Sequence, residues 1–286
     1  MKKSLLVTLA LSLVLVAAGC SKNTESTTEE VATEVEDATE AVEEDAAEAE
    51  DTAEVDAAEA ETEADTENAA AEGVMSYADY VAADVDTEVC VETYVQAKQA
   101  WWEDNGVGQA TFYTQNQDGA FFVYNLPCSQ EDYDKLVPGT KIKVTGFKSE
   151  WSGEVEIVDA TYEIEDTDTF VADAKDVTDL LGKDELIDYQ NQFVSFKGMT
   201  VEAANDAGDA FLYKWDGSGT EGDDLYFNVS LDGNTYTFTV ESYLCDKDSD
   251  VYKAVQNLKV GDVVDMEGFL YWYEGVNPHI TSVSVQ

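Results

Sequence analysis

The side chains that could do chemistry in this chain are carboxylates and aromatic rings. Its 286 residues include 62 Asp and Glu, 15 Lys, no Arg, four Cys and one His, His279. A single His excludes a poly-His metal site, and a Ser-His-Asp triad could be built only around it. The sequence contains no phosphate-binding loop, nucleophile elbow or zinc motif. Glycoside hydrolysis by a pair of carboxylates is an alternative that the sequence does not exclude, although no particular pair stands out among so many acidic residues. We predict that the chain is not an enzyme and needs no cofactor.

Aromatic residues near predicted loops could bind a ligand by stacking. The side chains selected for this role are Trp101, Trp102, Tyr113, Trp151, Trp272 and Tyr273. Successive side chains of a strand point to opposite faces, so Trp101 and Trp102 cannot both enter one core. Flat rings beside carboxylates suit the faces and hydroxyls of sugars. The same rings could instead close the ends of a barrel or join two domains, and they would also stack on bases of single-stranded nucleic acid.

The Gly-rich segment from Asp216 to Asp224 is a weak candidate for a metal site. Asp216, Ser218 and Asp224 offer oxygen atoms at even spacings, as calcium loops do. However, Phe227 stands where such a loop carries its twelfth, acidic residue. A solvated insertion explains the segment equally well.

The cysteines do not follow a redox or haem-attachment pattern. Cys90, Cys128 and Cys245 allow one disulfide and leave one thiol, and no CxxC motif is present. We predict structural roles for them, with the existence of a disulfide left open.

Two segments about 122 residues apart repeat one pattern, which indicates the elements that must position these side chains. Residues 133–147 and 255–269 share a Leu, a Gly, alternating apolar residues, a second Gly and a Phe at the same offsets. This spacing is too long for a solenoid repeat and fits a duplicated domain. Each copy, of about 90 residues, is large enough to bury its own core.

The elements of each copy follow the order of an OB-fold. In the first copy, a strand with Val89 and Val95 precedes a hairpin through Asp118-Gly119, a helix capped by Ser129 and a final hairpin. Three strands, a helix and two strands make a five-stranded Greek-key barrel. The sequence therefore predicts an all-β fold with short helices, in which two tandem OB-fold-like five-stranded Greek-key barrels follow a disordered acidic tether.

Two local expectations follow from these assignments. In the last hairpin of the first copy, we expect Ile142 to lie opposite Ile157 and Lys143 opposite Glu156. Residues 173–189, between the copies, have apolar residues at helical spacing and are predicted to form a helix.

The N-terminus has the form of an export signal. Lys2 and Lys3 precede an apolar run at residues 4–18, which is too short to span a bilayer comfortably. The following Val-Ala-Ala-Gly-Cys, residues 16–20, resembles the lipobox of bacterial lipoproteins. The resemblance implies cleavage before Cys20 and lipidation of Cys20, which would anchor the protein to the outer face of the cell membrane.

A strongly acidic tract follows Cys20. Residues 21–73 contain 21 acidic residues, a single lysine and no aromatic residue. Such a segment has too little apolar surface to fold alone and is extended by self-repulsion. We predict a disordered spacer.

The first copy contains a series of short motifs, at residues 93–97 (TYVQA), 101–102 (WW), 118–121 (DGAF), 128–133 (CSQEDY), 139–146 (GTKIKVTG) and 150–157 (EWSGEVEI). With these motifs it resembles the OB-fold domains of surface lipoproteins from Gram-positive bacteria, a family with tandem OB-like domains. The resemblance covers roughly residues 77–164, and the second copy only weakly. It implies a fold and a location, without implying an activity.

These observations predict five segments and one function. The segments are a lipoprotein signal peptide (1–19), an acidic linker (20–73), a first OB-fold-like domain (74–165), a helical connector (166–190) and a second OB-fold-like domain (191–286). We predict a membrane-anchored cell-surface lipoprotein that binds an extracellular glycan or protein. The alternatives are a single-stranded nucleic-acid-binding protein and a carboxylate-dependent hydrolase. The folded part has 41 acidic residues and 12 lysines, which argues against nucleic acid as a partner because cationic side chains displace its counterions.

Overall fold

The computed structural model describes residues 73–286. The predicted signal peptide, the lipidation site at Cys20 and residues 20–72 of the predicted linker lie outside the described residues. Within residues 73–286, no helix is both long enough and apolar enough to cross a membrane.

The first half of this region is a closed barrel. Its elements are α1 (Tyr77–Ala82), β1 (Glu88–Lys98), β2 (Trp102–Asp104), β3 (Val107–Gln115), β4 (Ala120–Pro127), α2 (Gln130–Lys135), β5 (Thr140–Trp151) and β6 (Glu154–Thr169). The strands are ordered β1-β5-β6-β4-β3-β2, and a pairing of β1 with β3 closes five of them into a barrel. The β4–β6 pair is parallel, as the Greek-key connection through α2 requires.

The second half repeats this design with additions. Its elements are β7 (Lys175–Asp176), two 3-10 helices (Thr178–Leu180 and Asp184–Tyr189), β8 (Phe193–Glu202), β9 (Phe211–Tyr213), β10 (Leu225–Leu231), β11 (Asn234–Val240), α3 (Asp250–Gln256), β12 (Val263–Phe269) and β13 (His279–Val285). Their order is β7-β8-β12-β13-β11-β10-β9, closed by β8–β10, with β11 and β13 parallel. The predicted all-β fold with two OB-type barrels and short helices is confirmed.

Two local expectations differ from the structure. The tight turn at Ser152-Gly153 pairs Trp151 with Glu154, so Lys143 lies opposite Glu163 and not Glu156. The expected register was wrong because β5 continues as far as Trp151, so Lys148 and Ser149 take the places opposite Ile157 and Glu156. Residues 173–189 form β7 and two 3-10 helices instead of one helix, since Gly182 interrupts them with a left-handed φ of +76°.

Each barrel buries its own core, and alternation along the strands leaves other aromatic residues facing outward. On β3, Phe112 enters the first core, so its neighbour Tyr113 points the other way. On β4, Phe122 also faces outward between core residues. These outward rings pack against Phe269 of the second barrel, with the Tyr113 and Phe269 centroids 4.5 Å apart. The two barrels therefore share a small apolar cluster.

Polar bonds on both sides of that cluster fix the docking of the barrels. The backbone N–H of Phe193 donates to Gln115 Oε1 at 2.8 Å, and the N–H of Ala100 donates to the carbonyl of Tyr243 at 2.8 Å. On another side, Asn191 Nδ2 donates to the carbonyl of Val155 at 3.0 Å. A cleft opens beside this docked interface.

Candidate ligand-binding cleft

The aromatic cleft is a cavity of about 1150 Å³ lined by residues of both barrels. The first barrel contributes Trp102, Tyr124 and Trp151, which are exposed to solvent. The second barrel contributes Trp215, Tyr226, Tyr243 and Tyr273. Water-exposed rings converging from two domains form a surface on which a ring-shaped ligand can stack.

The strands and turns of the first barrel explain where its rings lie. Tyr124 follows Phe122 by two positions on β4, so both face outward, with ring centroids 6.4 Å apart. Trp151 ends β5 at a turn in which Ser152 and Gly153 both have positive φ. Such a two-residue hairpin turn holds the neighbouring strand ends closely. Trp102 lies on the short edge strand β2.

The second barrel provides the opposite wall from its loops. Trp215 follows β9 and is 74% exposed, the largest exposed fraction among the described large apolar side chains. The ring centroid of Tyr273, after β12, lies 5.1 Å from that of Trp151. The backbone N–H of Glu274 donates to the carbonyl of Ser152 at 2.7 Å, so this pair of rings is held by a backbone bond between the barrels.

Carboxylates lie at one end of the cleft. The Glu241 side chain is only 9% exposed, and Gln99 Nε2 donates to its Oε2 at 3.1 Å. Burial, with the nearby Asp224 charge, raises the pKa of Glu241 to about 8. Asp224 Oδ1 in turn accepts hydrogen bonds from the backbone N–H and hydroxyl of Ser242, at 2.8 and 2.6 Å. The two carboxyl groups are neighbours, because Asp224 directly precedes β10 and Glu241 directly follows β11 at the end where Leu225 pairs with Val240.

The inner end of the cleft is formed by neutral groups. His279 stacks on Tyr271 with centroids 4.2 Å apart, and its Nδ1 lies 2.6 Å from the hydroxyl of Tyr113. Burial lowers the pKa of His279 to about 3, so its imidazole is uncharged at neutral pH. Asn277 Oδ1 accepts from the Thr239 hydroxyl at 2.7 Å. Among the described residues that line the cleft, none is a lysine.

The structure brings together three of the six predicted ligand-binding residues and separates the others. Trp102, Trp151 and Tyr273 line the cleft. Tyr113 is fully buried in the contact between the barrels. Trp101 packs on the first core, where its Nε1 donates to the carbonyl of Cys128 at 3.0 Å.

Trp272, the sixth predicted residue, takes part in a different contact. Its ring lies against Gly153, where an added Cβ would meet it at 2.9 Å. Its backbone N–H donates to Glu154 Oε2 at 2.9 Å. Trp272 therefore helps dock the barrels beside the cleft without lining it.

Sequence reasoning missed several residues that line the cleft. Trp215, Tyr226, Tyr243 and Glu241 come from the second copy, whose resemblance to known motifs is weak. Trp215 stands immediately before the Gly-rich insertion, and an isolated Trp beside a polar loop is a usable signal. No signal of comparable strength marks Glu241 among so many acidic residues.

The weak metal candidates do not converge. Asp216 Oδ1 accepts from the N–H and hydroxyl of Ser218 within one turn, whereas Asp224 bonds Ser242. Across residues 73–286, no group of three or more His, Cys, Asp or Glu side chains is arranged to hold a metal ion. In the same region Cys90, Cys128 and Cys245 are free thiols.

The densest group of lysines in the sequence is engaged in internal contacts. Lys141 pairs with Glu92 at 2.9 Å and Glu165 at 3.1 Å, and Lys143 pairs with Glu163 at 2.9 Å. The buried Lys148 donates to the final carbonyls of α1. These lysines support the first barrel.

No family model and no curated protein matches the chain. Its fold is similar to solved structures of low sequence identity. A tetrameric p202 HIN2 structure shares 12% identity at a TM-score of 0.30, covering 71% of this chain and 96% of that one. A murine DNA-binding protein bound to double-stranded DNA shares 10% identity at a TM-score of 0.33, covering 69% and 94%. A replication protein A heterotrimer bound to single-stranded DNA shares 12% sequence identity at a TM-score of 0.30. The match covers 70% of this chain and 49% of that one.

One prediction is corrected at this point. The sequence argued against nucleic acid as a partner, and the similar structures contradict that exclusion, because several are described as complexes with DNA. The prediction used the charge of the whole folded region. A nucleic acid contacts one surface of a protein, so a total of acids and lysines does not decide the matter.

Proposed function

We propose that residues 73–286 form a non-enzymatic binding module whose aromatic cleft takes up a ligand that has flat ring faces. The observation that carries this proposal is the convergence of exposed rings from both barrels on one cavity. Trp102 is 45% and Trp151 54% exposed. Covering such apolar rings with a ligand removes them from water and adds stacking energy.

A glycan is the first candidate ligand. Sugar rings stack on flat aromatic faces, and their hydroxyls need hydrogen-bonding partners of the kind that Asn277, Asp224 and Glu241 offer along the cleft. OB-folds are known to bind oligosaccharides. A ligand that contacts both barrels would also gain specificity from their fixed docking.

Single-stranded nucleic acid is the second candidate. OB-folds bind it by stacking successive bases on aromatic side chains, and the rings of the cleft offer such faces. Replication protein A, which has a similar fold, is described with single-stranded DNA. Because none of the described residues that line the cleft is a lysine, binding there would depend on base stacking, and its affinity should not fall steeply as salt is raised.

One experiment tests the module and separates the two ligand classes. The full chain is applied to arrays of glycans and single-stranded oligonucleotides, alongside Trp151→Ala, Trp102→Ala and the control Phe147→Ala. Phe147 is 42% exposed but does not line the cleft. Each Trp change should weaken binding by about tenfold or more, since a lost stacking contact costs roughly 1–3 kcal/mol and about 1.4 kcal/mol is tenfold, and the control should not. If both Trp variants bind like the unchanged chain, the proposal is wrong.

We also propose that the module is held at the outer face of the cell membrane by a lipid on Cys20, which lies outside the described residues. Cys20→Ala should move the protein from the membrane fraction into the soluble fraction and abolish fatty-acid labelling. Labelling that persists in this variant would contradict the anchor. The non-enzymatic character has its own test, since turnover on a polysaccharide panel that disappeared in Glu241→Gln would overturn it.

A further inference from the structure

The aromatic cleft has an uneven distribution of charge. Its lining includes the carboxyl groups of Asp224, Glu241 and Glu274, and none of its described lining residues is a lysine. Aromatic faces carry the negative part of the ring quadrupole. Carboxylates and ring faces therefore act in the same direction and favour a positively charged occupant.

The environment of Glu241 strengthens this conclusion. The side chain is more than nine-tenths buried, yet it lines the cleft beside Asp224, which Ser242 fixes in place. A buried carboxylate is costly unless a partner compensates its charge. The donors around Glu241 are neutral, Gln99 Nε2 at 3.1 Å among them, and the carboxyl group avoids the cost of a buried charge by keeping its proton up to a pKa of about 8. An ammonium group in the cleft would compensate the charged form and favour release of that proton.

The neighbouring ring gives the cation a second partner. Tyr226 lies on β10 two residues after Asp224, so the two side chains are on the same face, and Leu225 pairs with Val240, the residue before Glu241. Tyr226 and the two carboxyl groups therefore line the same part of the cleft, and after burial both charges contribute to raising the pKa of the Tyr226 hydroxyl. A cation over a Tyr or Trp face is attracted to it within about 6 Å of the ring centre.

We propose that the ligand of this cleft is a ring-bearing amine, such as an oligomer of an amino sugar, with its ammonium group between Glu241, Asp224 and the ring of Tyr226. This inference rests on the proposed function, because it assigns a chemical class to the ligand of the same cleft. Sugar rings would stack on Trp151 and Tyr273 while the ammonium group reaches the carboxylates. The occupant is a soluble glycan, and no covalent step is involved.

Two oligosaccharides of equal length provide a direct test, because they differ chiefly in charge. An oligomer of glucosamine carries amines that accept protons, whereas the oligomer of N-acetylglucosamine is neutral. Calorimetric titration of the full chain should show binding of the glucosamine oligomer about tenfold tighter than that of the acetylated one. Glu241→Gln, which keeps the shape of the side chain, should remove most of this preference.

A matched variant separates local from overall charge. Glu185→Gln removes one exposed carboxylate outside the cleft and should keep the preference. Circular dichroism verifies that each variant is folded, and Asp224→Asn serves as a second test of the same end of the cleft. Equal binding of the two oligomers, tighter binding of the acetylated one, or a preference that survives in both Glu241→Gln and Asp224→Asn would overturn the inference.

The same titrations distinguish a failure of the amine inference from a failure of the proposed binding function. Binding of the neutral oligomer or of an oligonucleotide that is lost in Trp151→Ala, without any preference for the amine, overturns the inference and leaves the binding module intact. Binding that is unchanged in Trp151→Ala and Trp102→Ala, together with a preference that survives in Glu241→Gln and Asp224→Asn, would contradict both.

Discussion

The hydroxyl of Tyr113 and Nδ1 of His279 lie 2.6 Å apart, in a hydrogen bond that joins the two barrels at the inner end of the cleft. Tyr113 is fully buried and His279 is 6% exposed. In a neutral imidazole, one ring nitrogen donates and the other accepts, so each residue meets a need of its partner. This bond links the repeated architecture to the site, because the cleft keeps its shape only while the barrels stay docked.

Removing the Tyr113 hydroxyl should destabilise the protein. Tyr113→Phe leaves a buried nitrogen of His279 without its partner, and we expect a loss of about 1–3 kcal/mol in the free energy of unfolding. Urea unfolding measures it. Tyr124→Phe, at a ring that is 44% exposed, is the matched control. A loss no larger than that of the control would contradict the role assigned to this bond.

The stability of the protein should fall as the pH rises toward 8, in part because of Glu154. Its carboxylate is fully buried, accepting hydrogen bonds from Trp272 N and Gln190 Nε2 at 2.9 and 3.2 Å. Burial raises its pKa from 4.5 to about 8. Between these values the folded state keeps a proton that the unfolded state releases, so the free energy of unfolding decreases as pH increases.

Glu154→Gln should flatten this dependence. Above about pH 7, His279 is neutral in the folded state and mostly neutral in the unfolded state, so it adds little slope. From that pH to pH 8, the unfolding free energy of the unchanged chain should contain a decrease of up to about 1.4 kcal/mol per pH unit that is due to Glu154. Glu154→Gln should lack this decrease, and the control Glu185→Gln should retain it. Glu156 and Glu241, whose pKa values are also raised, keep part of the decrease. Unfolding curves with the same pH dependence in Glu154→Gln and the unchanged chain would rule out this effect.

The repeated glycines of the two barrels should not tolerate a methyl group. A Cβ on Gly146 would lie 2.7 Å from the carbonyl oxygen of Val158, and one on Gly268 would lie 2.2 Å from that of His279. Both contacts are with backbone atoms of the adjacent strand. We expect Gly146→Ala and Gly268→Ala to lower the unfolding free energy by about 1–3 kcal/mol or more, with Gly268→Ala the larger.

Gly261→Ala separates crowding from backbone strain in that comparison. Its φ of +93° disfavours a side chain, but nothing lies within 4 Å of the added Cβ. Gly261→Ala should therefore lower the unfolding free energy by only about 1 kcal/mol. Thermal unfolding of the three variants checks the order, and equal losses at all three positions would refute a packing role for the repeated glycines.

Much of the fold could be predicted because local patterns and the repeat agreed. Ser129 caps α2 as expected, and the repeated Gly and Phe mark equivalent strands β5 and β12. The register of the last hairpin could not be obtained this way. Apolar residues alternate along both β5 and β6, so several pairings satisfy the pattern, and the turn at Ser152-Gly153 selects one of them.

The candidate site was less accessible to sequence reasoning because it depends on how the barrels dock. Six aromatic residues were selected by their place near loops, and that criterion does not distinguish Trp151 in the cleft from Trp272 in the contact beside it. Tyr113 was expected at a binding face, but the second barrel covers it. The distances between side chains of the two barrels depend on how the barrels dock, and the pattern of residues within each copy does not specify that docking.

The indole signals of the five tryptophans test the central claim most directly. With each indole ¹⁵N–H resonance assigned by Trp→Phe variants, the full chain is titrated with the tightest ligand found on the arrays. The resonances of Trp102, Trp151 and Trp215 should shift, whereas those of Trp101 and Trp272, which lie outside the cleft, should stay in place. Saturating binding that moves Trp101 or Trp272 and leaves the three cleft residues unchanged would contradict the account.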